Sequence, residues 1–476
     1  MAGDGMDRIK HLVVVMMENR SFDNLLGFLY ADVNNRPPIN IPAPAPGEQT
    51  TFDGLAAPSP DGPFWNPSNA DYFSGKDPVK VFATRGTTGA QPFLAPDHDP
   101  HEEFDNITAQ IFGPKDTTRT EMMRGFLVNY ITTDPGHPEK ANQLMESYSP
   151  EQVSILSQLA RSYAVSDRWF CSTPNQTLPN RAFLHAGTSM GRVNNKPNQL
   201  YDADTIFEVL KDTGHSWKVY NDTILMSLAR LQFPQLWEVL LQPHFHGMEE
   251  FEEDCRDGTL PEYSFIEPSF QIEPNDEHSP HDVSLGEQFL LRLWKAISSG
   301  KDWNSTLWVI TFDEHGGCYD HVVPPAAVPP DAASDPGEEN FHFDRYGVRV
   351  PTVLVSPYIE AGTVFRSPSD VPYDHTSILA TLRDWLQIPE ERMLKSARAK
   401  KAPTLGNALT RLAPRSDLPD IAQTGAPANP TKRLIAWNDL QRAMVVAQAK
   451  RYVHNLANPL KLKMLRTPPP KSNTGQ

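Results

Sequence analysis

Two stretches of the chain gather oxygen-bearing side chains directly behind strongly apolar runs. The first is Glu18-Asn19-Arg20-Ser21-Phe22-Asp23, after residues 9–17 (IKHLVVVMM). The second is Asp313-Glu314-His315-Gly316-Gly317-Cys318-Tyr319-Asp320-His321, after residues 306–312 (TLWVITF). Carboxylates and an amide oxygen are hard ligands that suit Ca²⁺, Mg²⁺ or Mn²⁺, and nearby imidazoles bring Zn²⁺ into range. Taken alone, either stretch fits a helix cap or an ion pair with an arginine equally well. Two of them, each at the end of a buried strand, favour one divalent cation shared by Glu18, Asn19, Asp313 and Glu314. Such a cation can turn a hydroxyl into a nucleophile at neutral pH. Thr177, just before Leu178-Pro179-Asn180-Arg181, is a candidate, although a turn role is the default for any one hydroxyl of the 172–190 stretch. Histidines cluster as His98 and His101 in DHDPHEE, as His278 and His281 in NDEHSPHD, and at His375 in DHTS. At strand ends they could bind phosphate oxygens, serve as a general acid, or hold a second metal. His244 and His246 (PHFHGM) are further candidates of lower rank.

The elements that must position these groups follow from periodicity. Apolar, β-branched runs at 9–17, 162–165, 216–220, 263–266, 306–312 and 348–356 read as strands buried on both faces. Between them, 149–164, 201–213, 282–298 and 374–386 carry helical apolar spacing. Ser149-Pro150-Glu151 reads as an N-cap followed by proline at the first helical position, and Asp282 as another cap. The alternation predicts an α/β fold, a three-layer sandwich around a mostly parallel sheet, with ligands at the carboxyl ends of the strands. Two segments interrupt it. Residues 34–100 are rich in Pro, Gly, Asp and Asn and carry Phe64, Trp65, Tyr72 and Phe73, which suggests a loop-rich insert or lid. Residues 324–347 form an acidic, proline-rich loop. The expected organisation is a catalytic domain over 1–395, a C-terminal extension over 396–465 with a helix at 431–456, and a disordered tail at 466–476.

Composition bounds the partners. The 476 residues are 39% hydrophobic and 21% charged, a globular balance. Their 45 prolines are nearly twice the roughly 5% average, so much of the chain is ordered, non-repetitive loop. A net charge of −16 argues against nucleic acid and against docking on anionic lipid through a polybasic patch. Any phosphate must therefore meet a bound cation or a few placed side chains. Cys171, Cys255 and Cys318 do not make a disulfide framework, though one bridge stays open. No run reaches the ~18 apolar residues of a membrane span, and the N-terminus does not read as a signal peptide. As written, the chain is expected in the cytoplasm; a secreted or periplasmic protein with its leader removed would look the same. Oligomeric state is not set by the sequence.

The segments MENRSFDNLLG (17–27), TLPNR (177–181), DEHGGCYDHVVPP (313–325) and GVRVPTVLVSP (347–357) resemble, in order, the bacterial phospholipase C and acid phosphatase family, which includes the plant non-specific phospholipases C. The resemblance runs from residue 9 to about residue 388, roughly four-fifths of the chain. It implies an alkaline-phosphatase-like fold, with Glu18, Asn19, Asp313 and Glu314 as metal ligands and Thr177 as both nucleophile and metal ligand. His101 and His278 are similar to histidines that hold phosphate oxygens, and Asn180, Arg181, His281 and His315 complete the expected substrate-facing set. Leu178 stands where glutamine or asparagine is common. The expected reaction is attack of Thr177 on phosphorus, a phosphothreonine intermediate, and protonation of the departing alcohol by His278. A phospholipid diester is the leading substrate and a phosphomonoester the alternative. A non-catalytic scaffold, in which the strand-end acids are caps, is the rival of another class.

Overall fold

The computed structural model describes residues 5–31, 36–115, 121–133, 135–196, 200–222, 227–237, 243–271, 273–425, 427, 430 and 439–456. Among them a nine-stranded sheet forms the centre. Its strands in chain order are β1 (His11–Met17), β2 (Ile39–Ile41), β3 (Ala164–Ser166), β4 (Trp217–Asn221), β5 (Phe245–Gly247), β6 (Tyr263–Glu267), β7 (Thr306–Phe312), β8 (Thr352–Val355) and β9 (Thr363–Phe365). They lie in the order β2-β9-β3-β8-β7-β1-β6-β4-β5. β8 runs antiparallel to both of its neighbours, and the other pairings are parallel.

β1 and β7 sit side by side at the middle, in register from His11↔Thr306 to Met17↔Phe312. All of β7 and six of the seven residues of β1 are buried, as continuous apolar runs require when helices cover both faces. The same core takes in residues from helices before and after the sheet, among them Ile155, Leu159, Leu184, Leu290, Leu293, Ile378 and Leu382. Covering helices on a mostly parallel sheet bear out the expected fold class.

Boundaries move where local chemistry outweighs periodicity. The helix expected at 149–164 occupies Ser154–Ser162, because the Ser149 carbonyl accepts from Gln152 and Val153 in a preceding turn. The strand expected at 162–165 starts two residues later, at Ala164. The helix expected at 201–213 begins at Ile206 behind a Thr205–Glu208 capping box. Asp282 does cap the helix Val283–Ser299, its carboxylate accepting from Ser284 N–H at 3.0 Å. The helix at Asp439–Leu456 matches the later part of the one expected at 431–456; residues 431–438 and the tail at 466–476 lie outside the described residues.

Between residues 36 and 100 the chain is mainly loop, with the short strands Trp65–Pro67 and Lys80–Phe82 paired antiparallel. Its aromatics face inward: Trp65, Tyr72 and Phe73 pack with Val128, and Arg124 lies over the Trp65 ring at 4.2 Å. Leu405, Leu409, Ile421, Leu440 and Met444 join the central core, so described parts of the segment after residue 395 pack against the sheet assembly. The three cysteines are buried, free thiols. No helix among the described residues is long and apolar enough to cross a membrane.

Candidate active site

Parallel register delivers the two acidic stretches to one place. The Asp313 N–H donates to the Met17 carbonyl at 3.1 Å, so the chains leaving β1 and β7 start as neighbours. Asp313 Oδ1 then accepts from the Asn19 N–H at 2.9 Å and the Glu314 N–H at 2.7 Å. Asn19 has φ 54°, a left-handed conformation that asparagine tolerates better than most residues and that strand-end sites often impose. Gly316 (φ +59°) lets the second loop lie on the first, since a Cβ there would stand 2.2 Å from the Asn19 carbonyl oxygen. Gly317 (φ +65°) plays the same part against Pro100 and His101.

Thr177 reaches this spot from elsewhere in the chain. Past β3, the buried segment 171–176 leads into the helix Thr177–Ala186. Asn180 fixes that entry: its side-chain amide donates to the carbonyls of Thr173, Asn175 and Gln176, and its Oδ1 accepts from Thr173 N–H at 3.1 Å. Pro179 sits in the first helical turn, where no N–H is needed. Thr177 Oγ1 thereby lies 3.3 Å from Glu18 Oε2 and 3.3 Å from Asn19 Oδ1, and is buried.

Three wholly buried carboxylates, Glu18, Asp313 and Glu314, meet here. Burial raises all three above the ordinary carboxylate range. Asp313 adds to the rise at Glu18 and Glu314, while Arg181 opposes it at Glu18 and Asp313. Asp313 Oδ2 and Glu314 Oε1 are buried with no hydrogen-bond donor. Crowded acids with donorless oxygens, beside an amide oxygen and a hydroxyl, fit a hard divalent cation far better than they fit an empty protein interior.

The expected substrate-facing residues divide. His278 sits at the cluster, its Nε2 3.0 Å from Asn19 Nδ2 and its Nδ1 2.7 Å from the Ser279 carbonyl. Burial, with His281 nearby, lowers it to about 4, so it is neutral at pH 7 with Nδ1–H directed at that carbonyl. His281 turns to Asp276 at 2.6 Å, whose carbonyl in turn accepts from the Glu18 N–H at 2.9 Å. His315 Nε2–H donates to Gln110 Oε1 at 2.9 Å, and burial lowers its pKa to about 3. Gln110 also donates to the His101 carbonyl at 2.7 Å, while the His101 ring is 43% exposed and 3.5 Å from Glu103. Asn180 directs its amide to its own loop, and Arg181 directs Nε and Nη2 to Glu18 and the Met16 carbonyl, leaving Nη1 buried without a hydrogen bond. His244 and His246 belong to the sheet edge at β5, His244 stacked on Trp217 at 4.0 Å.

Other groups carry roles that residue type alone did not reveal. His375 Nε2–H donates to the Asp313 carbonyl, 2.7 Å away, while its Nδ1 accepts from Trp169 Nε1–H, and so it backs the acidic loop. Asp99, Glu102 and His278 bring ligand atoms within 4.8 Å of one another, the place where a second cation would be sought. Behind the site, Arg349 binds Asp23 (3.0 Å) and Asp320 (3.0 Å) and donates to the Asp53 carbonyl (2.7 Å); His321 lies 2.6 Å from Asp23. Each of Asp23, Asp320, His321 and Arg349 lies inside a stretch already singled out by sequence, but a surface ion pair and a buried clasp look alike there.

A hydroxyl over acidic oxygens at the carboxyl ends of a parallel sheet, together with the relationships below, defines the class: this is a phosphoric ester hydrolase. The chain belongs to the phosphoesterase family, whose model matches residues 9–389. It is 36% identical over 405 residues to non-specific phospholipase C1 of Arabidopsis thaliana, covering 81% of this chain and 68% of that protein. Non-specific phospholipase C3 of the same plant is 33% identical, over 88% of this chain and 76% of its own. Phospholipase C B of Mycobacterium tuberculosis is 26% identical, over 89% and 79%. Among solved structures, a protein of the alkaline phosphatase superfamily from Vibrio parahaemolyticus aligns over 63% of this chain and 81% of its own, at 14% identity and TM-score 0.31.

Proposed function

We propose that the protein cleaves phospholipid diesters in the phospholipase C manner, through a covalent phosphothreonine intermediate at Thr177 and with dependence on a divalent cation. One observation carries the proposal: Thr177 Oγ1 stands 3.3 Å from oxygens of both Glu18 and Asn19, beside the donorless Asp313 Oδ2 and Glu314 Oε1. The names of the plant and mycobacterial relatives support the substrate class. Glu18, Asn19, Asp313, Glu314 and Thr177 would hold the cation, which when bound lowers the hydroxyl pKa and offsets charge on the phosphate. Glu18 Oε2 is placed to accept the Thr177 proton. The Thr177 oxygen attacks phosphorus in line and displaces diacylglycerol, leaving the phosphoryl head group on Thr177. The His278 Nε2 lone pair, 3.0 Å from Asn19 Nδ2, would first take up the proton that Glu18 removes from Thr177 and then hand it to the departing alcohol oxygen, which leaves as diacylglycerol. His101, 43% exposed and 3.5 Å from Glu103, is the histidine assigned to the equatorial oxygens. Water then releases the head group and restores Thr177.

Chelator-stripped protein, reconstituted in turn with Ca²⁺, Mg²⁺, Mn²⁺ and Zn²⁺, tests this on phosphatidylcholine and on p-nitrophenyl phosphate. Activity should vanish on stripping, return with one or more of the ions, and release phosphocholine from phosphatidylcholine. Full activity in the stripped protein would remove the cation from the proposal. Turnover confined to the monoester would make the protein an acid phosphatase type of enzyme.

A further inference from the structure

We propose that Arg181 is a positioning residue: it grips one oxygen of Glu18 so that the other is fixed beside Thr177, and it sets the cluster's charge to suit one divalent cation. The proposal rests on the cation-dependent reading above. Arg181 follows Thr177 by four residues in one helix, so the two side chains share a face one turn apart. Arg181 Nε lies 3.0 Å from Glu18 Oε1, and Nη2 closes on the same oxygen while also donating to the Met16 carbonyl at 3.1 Å. Glu18 Oε2 is left to Thr177 at 3.3 Å. The two oxygens of a single carboxylate are thus assigned different partners by one helix face.

The arrangement is closed to water. Arg181 is buried, and the Phe270 ring covers its guanidinium at 5.2 Å. Nothing mobile can replace the fork if it is lost. Asp313 Oδ2 lies 3.8 Å from Arg181 Nε, within ion-pair reach but beyond a hydrogen bond, and accepts none. Three carboxylates and one guanidinium leave two net negative charges, which one divalent ion balances. A guanidinium meant for substrate phosphate would present its Nη atoms to the open side of the site. This one commits Nε and Nη2 to Glu18 and to backbone at the end of β1, with Nη1 buried and making no hydrogen bond, so the contacts it does make act on the reaction through Glu18. Lysine keeps the charge but cannot reproduce a planar fork holding both Glu18 and Met16.

Arg181→Lys and Arg181→Gln separate geometry from charge. Metal-stripped wild-type and variant proteins are titrated calorimetrically with Mn²⁺, and kcat and KM are measured at saturating Mn²⁺. Both variants should bind Mn²⁺ about 10- to 100-fold more weakly because Glu18 is no longer held by the fork, the lost positive charge in Arg181→Gln partly offsetting the effect, with kcat falling by a similar factor and KM little changed. Thermal unfolding checks that each is folded; if Arg181→Gln is not, Arg181→Lys decides. Wild-type Mn²⁺ affinity and kcat in Arg181→Lys overturn the proposal, as does a raised KM at unchanged kcat, the mark of a substrate clamp. A wild-type protein that neither binds Mn²⁺ nor hydrolyses phosphoesters removes the underlying reading as well. A wild-type protein that does both, with variants that match it, removes only the role of Arg181.

Discussion

Thr177 shows how little of a nucleophile is written in its own neighbourhood. Its segment offers several hydroxyls, and local sequence makes a turn the default role for each. What singles it out is distance: 3.3 Å to Glu18 and 3.3 Å to Asn19, residues more than 150 positions away. Only the family motifs made the assignment legible before the fold. Asn180 and Arg181, expected at the substrate, have inward roles because the helix that starts at Thr177 is buried throughout. The four-residue spacing that aligns Arg181 with Thr177 was visible in the sequence; its target, Glu18, was not. At this scale the expectation is that Thr177→Ala lowers kcat by roughly 10³-fold or more while its unfolding temperature stays near wild type. Steady-state kinetics and thermal unfolding on the same preparation check it. A rate within tenfold of wild type would assign the nucleophile elsewhere.

Elements explain why two distant stretches meet. β1 and β7 were readable because long apolar β-branched runs admit few other structures, and β7 matches its expected bounds residue for residue. β2, β5 and β9, three residues each, have too few alternations to stand out from loop. β8 lies inside an expected run, but its antiparallel direction is decided by neighbours rather than by its own residues. Behind these strands the Arg349 clasp ties the β1 loop (Asp23), the β7 loop (Asp320, His321) and the 36–100 segment (Asp53) together. Burial alone would lower His321, but the carboxylates of Asp23 and Asp53 outweigh it and raise it to about 9. Its folded value exceeds the ordinary 6.5, so its contribution to stability is complete below that pH and disappears as pH rises through about 9. The loss is on the order of 3 kcal/mol. Urea unfolding between about pH 6.5 and 9.5 should show the decline in wild type and a flatter profile in His321→Gln. Parallel profiles for the two proteins would mean that the clasp is not what titrates.

At the scale of the molecule, charge and composition set limits that the fold fills in. A chain of net charge −16 that handles phosphate needs concentrated positive charge, and Arg181, four residues from Thr177 in the same helix, is engaged with Glu18. In the proposed reading, a bound metal and histidine hydrogen bonds meet the phosphate. The high proline content was a sound guide to extensive ordered loop, yet the inward packing of Trp65, Tyr72 and Phe73 could not be told from an exposed aromatic lid. Which aromatic faces water is a tertiary outcome, and one-dimensional spacing does not carry it. The central claim, covalent catalysis at Thr177, is open to direct measurement on the whole protein. Metal-loaded enzyme is mixed with phosphatidylcholine, quenched in acid within one turnover, and examined by intact and peptide mass spectrometry. The account predicts an added phosphocholine group on the peptide carrying Thr177, absent in Thr177→Ala. An active enzyme that yields no adduct at any quench time, or one carried by another residue, would contradict it.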